Sequence, residues 1–200
     1  MVSRRSGSRL GRPRDATFDV RALDAARELL AASGFAATTV QAVAARSGVH
    51  ASAIYRRWPS RIELIEDAVF LGLDAPSVEP TGDLRRDLRR FIRAYVAELD
   101  KPAARAAIPG LLAHYQSNGE SGAPEHWLRV SARPQFVDIL RAAPEASVDP
   151  DVEPDDVFDM LLGAILARVL VPTVARRRRP IERLVDLTVR MLRPMELPHP

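Results

Sequence analysis

The chain has 200 residues, 46% of them hydrophobic, with six Phe, two Trp, three Tyr and no cysteine. That is enough apolar material for one or two cored domains, richer in helix-forming Ala and Leu than in strand formers, and it excludes disulfides, thiolate catalysis and Cys-based zinc sites. The net charge of +3 is uneven: residues 1–60 carry ten Arg against four acids (+6), and residues 61–200 carry nineteen basic against twenty-two acidic side chains (−3), the layout of a phosphate-binding module joined to a separate second domain.

Residues 1–14 are basic, Gly/Ser-rich and unpatterned, and read as a flexible arm. No apolar h-region follows them, so a signal peptide is not expected, and no apolar run approaches a membrane span. The expectation is a soluble, cytoplasmic protein. Within the arm, Gly11-Arg12-Pro13-Arg14 has the composition of segments that lie in a DNA minor groove, with Arg12 and Arg14 drawn to its negative potential.

A first helix is predicted from Thr17, with Leu23, Ala26, Leu29 and Leu30 at helical spacing and a stop at Ser33-Gly34. Thr38 and Thr39 offer caps for a short helix bearing Val40, Val43 and Ala44 on one face. Gly48 ends it, and Val49 and Ile54 anchor a third. Ser60 with Glu63 forms a capping box for a fourth, which turns Ile62, Ile65 and Val69 inward. Residues 74–82 read as a joint. A long amphipathic helix follows, with Leu84, Leu88, Phe91, Ile92, Tyr95, Val96 and Leu99 opposite a row of arginines.

The stretch 103–143 predicts two helices interrupted near 118–123, and 144–153 a loop. Pro154 suits the first turn of an eighth helix, with Asp155 and Asp156 at its positive end and four arginines at 176–179 near its negative end. Pro180 opens a ninth, striped by Ile181, Leu184, Val185, Thr188, Met191 and Leu192. The expected class is all-α with about nine helices: an N-terminal three-helix bundle with a helix-turn-helix at 15–73, then a regulatory and dimerisation domain at 74–200.

The four His lack metal-ligand spacing, and neither G-x-S-x-G nor a Gly-rich phosphate loop occurs. No metal, cofactor or catalytic residue is expected. The informative segment is 34–61, GFAATTVQAVAARSGVHASAIYRRWPSR. It holds two short helices about a tight turn at Gly48. The second has small residues, Ala51, Ser52 and Ala53, that allow close approach to base edges. Tyr55, Arg56 and Arg57 follow, within reach of phosphates.

This segment resembles the TetR family of repressors. The resemblance rests on Gly34-Phe35, Thr38-Thr39-Val40, Val43-Ala44, Ser47-Gly48-Val49 and Ile54-Tyr55-Arg56-Arg57-Trp58-Pro59-Ser60-Arg61 leading into Glu63-Leu64. It implies phosphate contacts from Thr39, Tyr55 and Arg61, and base reading by Gln41 and by His50, Ala51, Ser52 and Ala53, with Arg57 close behind. Val40, Val43, Val49, Ile54 and Trp58 are core.

The resemblance also implies a ligand cavity among helices four to eight, for which Phe91, Tyr95, Leu112, Tyr115, Trp127, Phe136 and Leu162 are the candidate lining. It further implies a homodimer on the last two helices, with Leu162, Ile165, Val169, Leu184 and Thr188 at the interface and Arg168 at its rim. The expected function is a ligand-responsive DNA-binding regulator, a repressor released from operator DNA by a small molecule. Two alternatives are a DNA-binding regulator governed by a protein partner or by no effector, and an enzyme fused to a helix-turn-helix.

Overall fold

The computed structural model describes residues 16–70, 79–118, 132–171 and 180–193. The arm with Arg12 and Arg14, Trp127 and the basic run 176–179 lie outside them. The described residues form nine α-helices and no strand: α1 (Ala16–Ala37), α2 (Val40–Ser47), α3 (Ala51–Arg57), α4 (Arg61–Phe70), α5 (Leu84–Leu99), α6 (Pro102–Asn118), α7 (Arg133–Ala142), α8 (Pro154–Leu170) and α9 (Ile181–Leu192). The expected all-α class is what the chain adopts, and the nine helices of the described residues match the number expected.

Most helix ends follow from single residues. The Thr39 hydroxyl accepts from the Ala42 amide at 3.1 Å and caps α2, while Gly48 ends it in the left-handed region at φ 67°. Ser60 Oγ accepts from the Glu63 amide at 3.1 Å and donates to Glu63 Oε1 at 3.0 Å, closing the start of α4. Helix α1 departs from expectation: helical bonding resumes after Gly34, whose φ of 79° and ψ of −179° break the axis before three further residues. Pro109 sits inside α6 rather than at a boundary.

Two hydrophobic cores result. The first gathers Ala22 and Ala26 of α1, Val40 and Val43 of α2, Val49, Ile54 of α3, Trp58, and Leu64 and Ala68 of α4. The second fills the bundle of α5 to α9, centred on Phe91, Phe136 and Phe158, whose rings lie 5.7–5.9 Å apart. Helix α4 serves both, because Ile65, Val69 and Phe70 enter the second core while Leu64 and Ala68 enter the first.

A second joint lies beside it. Phe35, just past the break in α1, packs so closely on α6 that a Cβ at Gly110 would lie 2.3 Å from its ring. Polar ties close the bundle: Arg89 Nε and Arg93 Nη2 on α5 each donate to Glu182 on α9 at 2.8 Å, and Arg133 bridges α7 to Asp155 and Asp159 of α8 at 2.8 and 2.5 Å.

Candidate nucleic-acid interface and regulatory cavity

Helices α2 and α3 pack through Val40, Val43, Val49 and Ile54, all expected core and all buried. Ile54 is the buried residue of α3, so one side chain anchors a seven-residue helix that could not persist alone. Trp58 fixes its far end, donating from Nε1 to Asp67 on α4 at 2.7 Å. The turn at Gly48 is tight in two respects. A side chain there would meet the left-handed backbone, and its Cβ would lie 2.8 Å from Arg21 Nη2, which donates to the Ser47 carbonyl.

This scaffold leaves a polar face outward. Gln41, His50, Ser52, Tyr55, Arg56 and Arg57 are exposed, and Thr39, half-buried as a cap, keeps its hydroxyl proton free to donate. Arg57 pairs with Asp19 of α1 at 3.0 Å, which holds it beside α3. Ala51 and Ala53 are turned partly into the first core, so their base-facing surface is limited to what remains outside it. Arg56, which sequence placed with Tyr55 and Arg57 within reach of phosphates, shares the exposed side.

Arg61 was expected on a phosphate; its geometry reassigns it to an internal role. Its Nε donates to the Thr38 carbonyl at 2.7 Å, Nη2 donates to the Phe35 carbonyl, and its guanidinium lies 4.3 Å from the Phe35 ring centroid. Burial lowers its pKa from the ordinary guanidinium value. The residue joins the start of α4 to the end of α1. Sequence offered no sign of this, because the acceptors are backbone carbonyls.

In the second domain, a cavity of about 70 Å³ lies among α4, α5, α6 and α8. Of the expected lining, Tyr95, Leu112, Tyr115 and Leu162 face it. Phe91 and Phe136 do not: they are buried in the aromatic core, where their rings pack tilted against each other and their neighbours. Phe70, Leu99, Ile108, Leu111 and Leu166 complete the wall. Behind this apolar wall the Tyr115 hydroxyl donates to Glu66, a carboxylate of α4 that is only 4% exposed. Burial, that hydrogen bond and the Glu66 charge all push the phenol far above its ordinary value, so it stays protonated. A larger groove of about 540 Å³ beside Gly82, Pro144 and Arg193 is open and takes no residue from α4.

The expected interface residues need correction. Ile165, Val169 and Thr188 are buried within the protomer, and the Thr188 hydroxyl donates to the Leu184 carbonyl at 2.9 Å. Leu162 and Leu184 are half-buried. The apolar faces left outward are Met160, Gly163 and Ala164 on α8, Val171 just past its end, and Leu187 on α9. From Met160 to Leu170 the sequence of α8 is apolar on all sides but for Arg168, so it set no phase for the buried stripe. No described helix is long and apolar enough to cross a membrane.

Comparison with known proteins covers both halves. Residues 22–68 match the bacterial regulatory proteins of the tetR family, and residues 78–188 match the tetracyclin repressor-like C-terminal domain. An HTH-type transcriptional regulator of Mycobacterium bovis, Mb1581, is 29% identical over 168 residues, 79% of each chain. The TetR family transcription regulator SCO0332 superposes with a TM-score of 0.65 at 28% identity, over 88% of this chain and 99% of that one. A TetR regulator from Rhodococcus sp. RHA1 gives 0.58 at 19% identity over 88% and 93%, a likeness of fold. With its helix-turn-helix and its helical second domain both matched, the chain belongs to the TetR family of transcriptional regulators.

Proposed function

We propose that this regulator is a repressor, working without catalysis, that binds operator DNA as a homodimer and leaves it when a small, mainly apolar molecule enters the second domain. The observation that carries this reading is the double duty of α4. Leu64 and Ala68 hold it in the DNA-binding core, while Phe70, four residues past Glu66, walls the cavity. A ligand that moves the cavity wall therefore moves the helix on which α2 and α3 are seated.

Two further links carry the same motion. Phe35 bears on Gly110 of α6, and Arg61 holds Phe35 to α4. In a dimer, small shifts of α4 change the separation of two recognition helices whose half-sites lie about 34–36 Å apart. The division falls near residue 73, with the DNA-binding part at 15–73 and the regulatory part at 74–200.

Contacts with DNA divide by chemistry. Thr39, Tyr55, Arg56 and Arg57 position the helix on phosphates, joined by Arg12 and Arg14 of the arm in the minor groove. Gln41, His50 and Ser52 face base edges, with the methyls of Ala51 and Ala53 beside them, and the Gln41 amide suits a bidentate pair with adenine. The second copy docks on the outward faces of α8 and α9.

A screen of small metabolites, read by melting temperature and by operator affinity, tests the ligand reading. A compound that raises the former and lowers the latter is expected. A broad screen in which none does both removes it.

A further inference from the structure

We propose that the cavity takes a compact apolar molecule with a hydrogen-bond-donor head, a hydroxyl or a protonated amine, which replaces the Tyr115 hydroxyl on Glu66. This rests on the ligand-released reading above and names the chemistry of its effector. Three observations carry it. First, the wall is hydrocarbon from Phe70, Leu99, Leu111, Leu162 and Leu166, which favours an apolar body. Second, the volume of about 70 Å³ is roughly that of two water molecules in the liquid. A ligand of more than a few heavy atoms therefore has to displace a side chain, and the Tyr115 ring is part of the wall.

Third, the group that Tyr115 would leave behind is an acceptor. Glu66 lies one turn before Phe70 on the same face of α4, and Tyr115 lies one turn after Leu111 on α6, so Tyr115 stands in the apolar wall with its hydroxyl on Glu66, which is itself outside the lining. Breaking a buried hydrogen bond without replacement costs about 1–3 kcal/mol. A ligand that brings its own donor avoids that cost by exchanging one bond for another. A ligand carboxylate brings acceptors only and cannot replace the hydrogen bond that the phenol donated. Phenol protonation at all physiological pH values makes the exchange one of neutral hydroxyl for donor, without proton release.

The consequence is mechanical as well as selective. In the free protein the Tyr115–Glu66 bond ties α6 to α4, and exchange moves that tie from the protein to the ligand. Helix α4 thereby loses one of its ties to α6, and the ligand's donor takes the place of the phenol on the carboxylate.

Four probes of equal length test this: n-butanol, n-butylamine, methyl propyl ether and butyrate, titrated into the full chain near neutral pH. Binding is read from the methyl resonances of Leu111, Leu112, Leu162 and Leu166. The two donors are expected to bind about three- to tenfold more tightly than the ether, with butyrate weakest. Tyr115→Phe removes the competing hydroxyl, so both donors should tighten while the ether stays unchanged; Glu66→Gln should shrink the gap between amine and ether. Equal binding of ether and donors, or weaker donor binding in Tyr115→Phe, overturns the donor head and leaves the ligand-released reading standing. If none of the four shifts those methyls, the donor head falls, and the ligand-released reading is left to the metabolite screen.

Discussion

Among the described residues, helices α3 and α8 each turn one side outward, and the chemistry of the two sides is opposite. Outside its Ile54 anchor, α3 shows Ser52, Tyr55, Arg56 and Arg57 to solvent. Beyond its buried Phe158, Leu161 and Ile165, α8 shows Met160, Gly163 and Ala164, with Val171 just past its end. A basic, hydroxyl-bearing face is well solvated alone and gains by meeting phosphates. An apolar face with small residues gains by excluding water against a copy of itself. The contrast teaches that the unburied side of a short helix, more than its buried side, names the partner.

The sharpest way to break the comparison is to charge the apolar side. Leu187 is 46% exposed on α9, beside the outward stripe of α8. Leu187→Asp is expected to give a monomer at micromolar concentration by light scattering, with helix content unchanged by circular dichroism and operator affinity lost with the dimer. A dimer that persists would move the interface elsewhere.

The next largest effect lies between the two domains. Replacing a helical Gly by Ala ordinarily stabilises by about 0.5–1 kcal/mol. At Gly110 the sign should reverse, because the new Cβ would lie 2.3 Å from the Phe35 ring, and overpacking of this kind costs about 1–3 kcal/mol. Gly110→Ala should therefore lower the denaturation midpoint and weaken operator binding, though it touches no DNA. A stabilised variant would mean that Phe35 yields freely and transmits nothing.

Arg61→Met keeps the stem over Phe35 and removes the donors to the Thr38 and Phe35 carbonyls. A loss on the order of 1–3 kcal/mol in stability is expected for the two carbonyls left without that donor, with the salt dependence of DNA binding unchanged. A fall of about one in the log–log salt slope would return Arg61 to the phosphates.

The smallest effect concerns the tie between α5 and α9. Hydrogen bonding from Arg89, with the charges of Arg89 and Arg93, lowers the Glu182 pKa from its ordinary 4.5. A carboxyl depressed in the folded state adds stability above its unfolded pKa, lost as pH falls through the folded value. Melting curves of Glu182→Gln should lie slightly below those of the parent at neutral pH and converge with them as pH falls through the depressed folded value, below the ordinary 4.5. Curves separated equally at all pH values would deny the ion pair any part.

Much of the first domain was legible in sequence for physical reasons. Thr39, Gly48 and the Ser60–Glu63 pair each fix a helix end through their own backbone, so a local reading finds them. Val40, Val43, Val49 and Ile54 stand at spacings with one burial solution. Long-range commitments were not legible. Arg61 and Glu66 are bound by groups 23–26 and 49 residues away, and nothing near them in the chain announces it. The stripe of α8 was misphased because apolar residues surround it, and Phe91 and Phe136 were placed in a cavity wall because an inward aromatic looks alike in wall and core.

The central claim, that the α2–α3 face reads a base sequence, is tested most directly by fluorescence anisotropy of the full chain. A duplex selected from a random library would be compared with its scrambled counterpart at several salt concentrations, for the parent and for Gln41→Ala. The parent should prefer the selected duplex, with affinity for both falling as salt rises. Gln41→Ala should lose on the order of 1–3 kcal/mol on the selected duplex and little on the scrambled one. Equal affinity of the parent for the two duplexes, or an equal loss on both in Gln41→Ala, would contradict the claim.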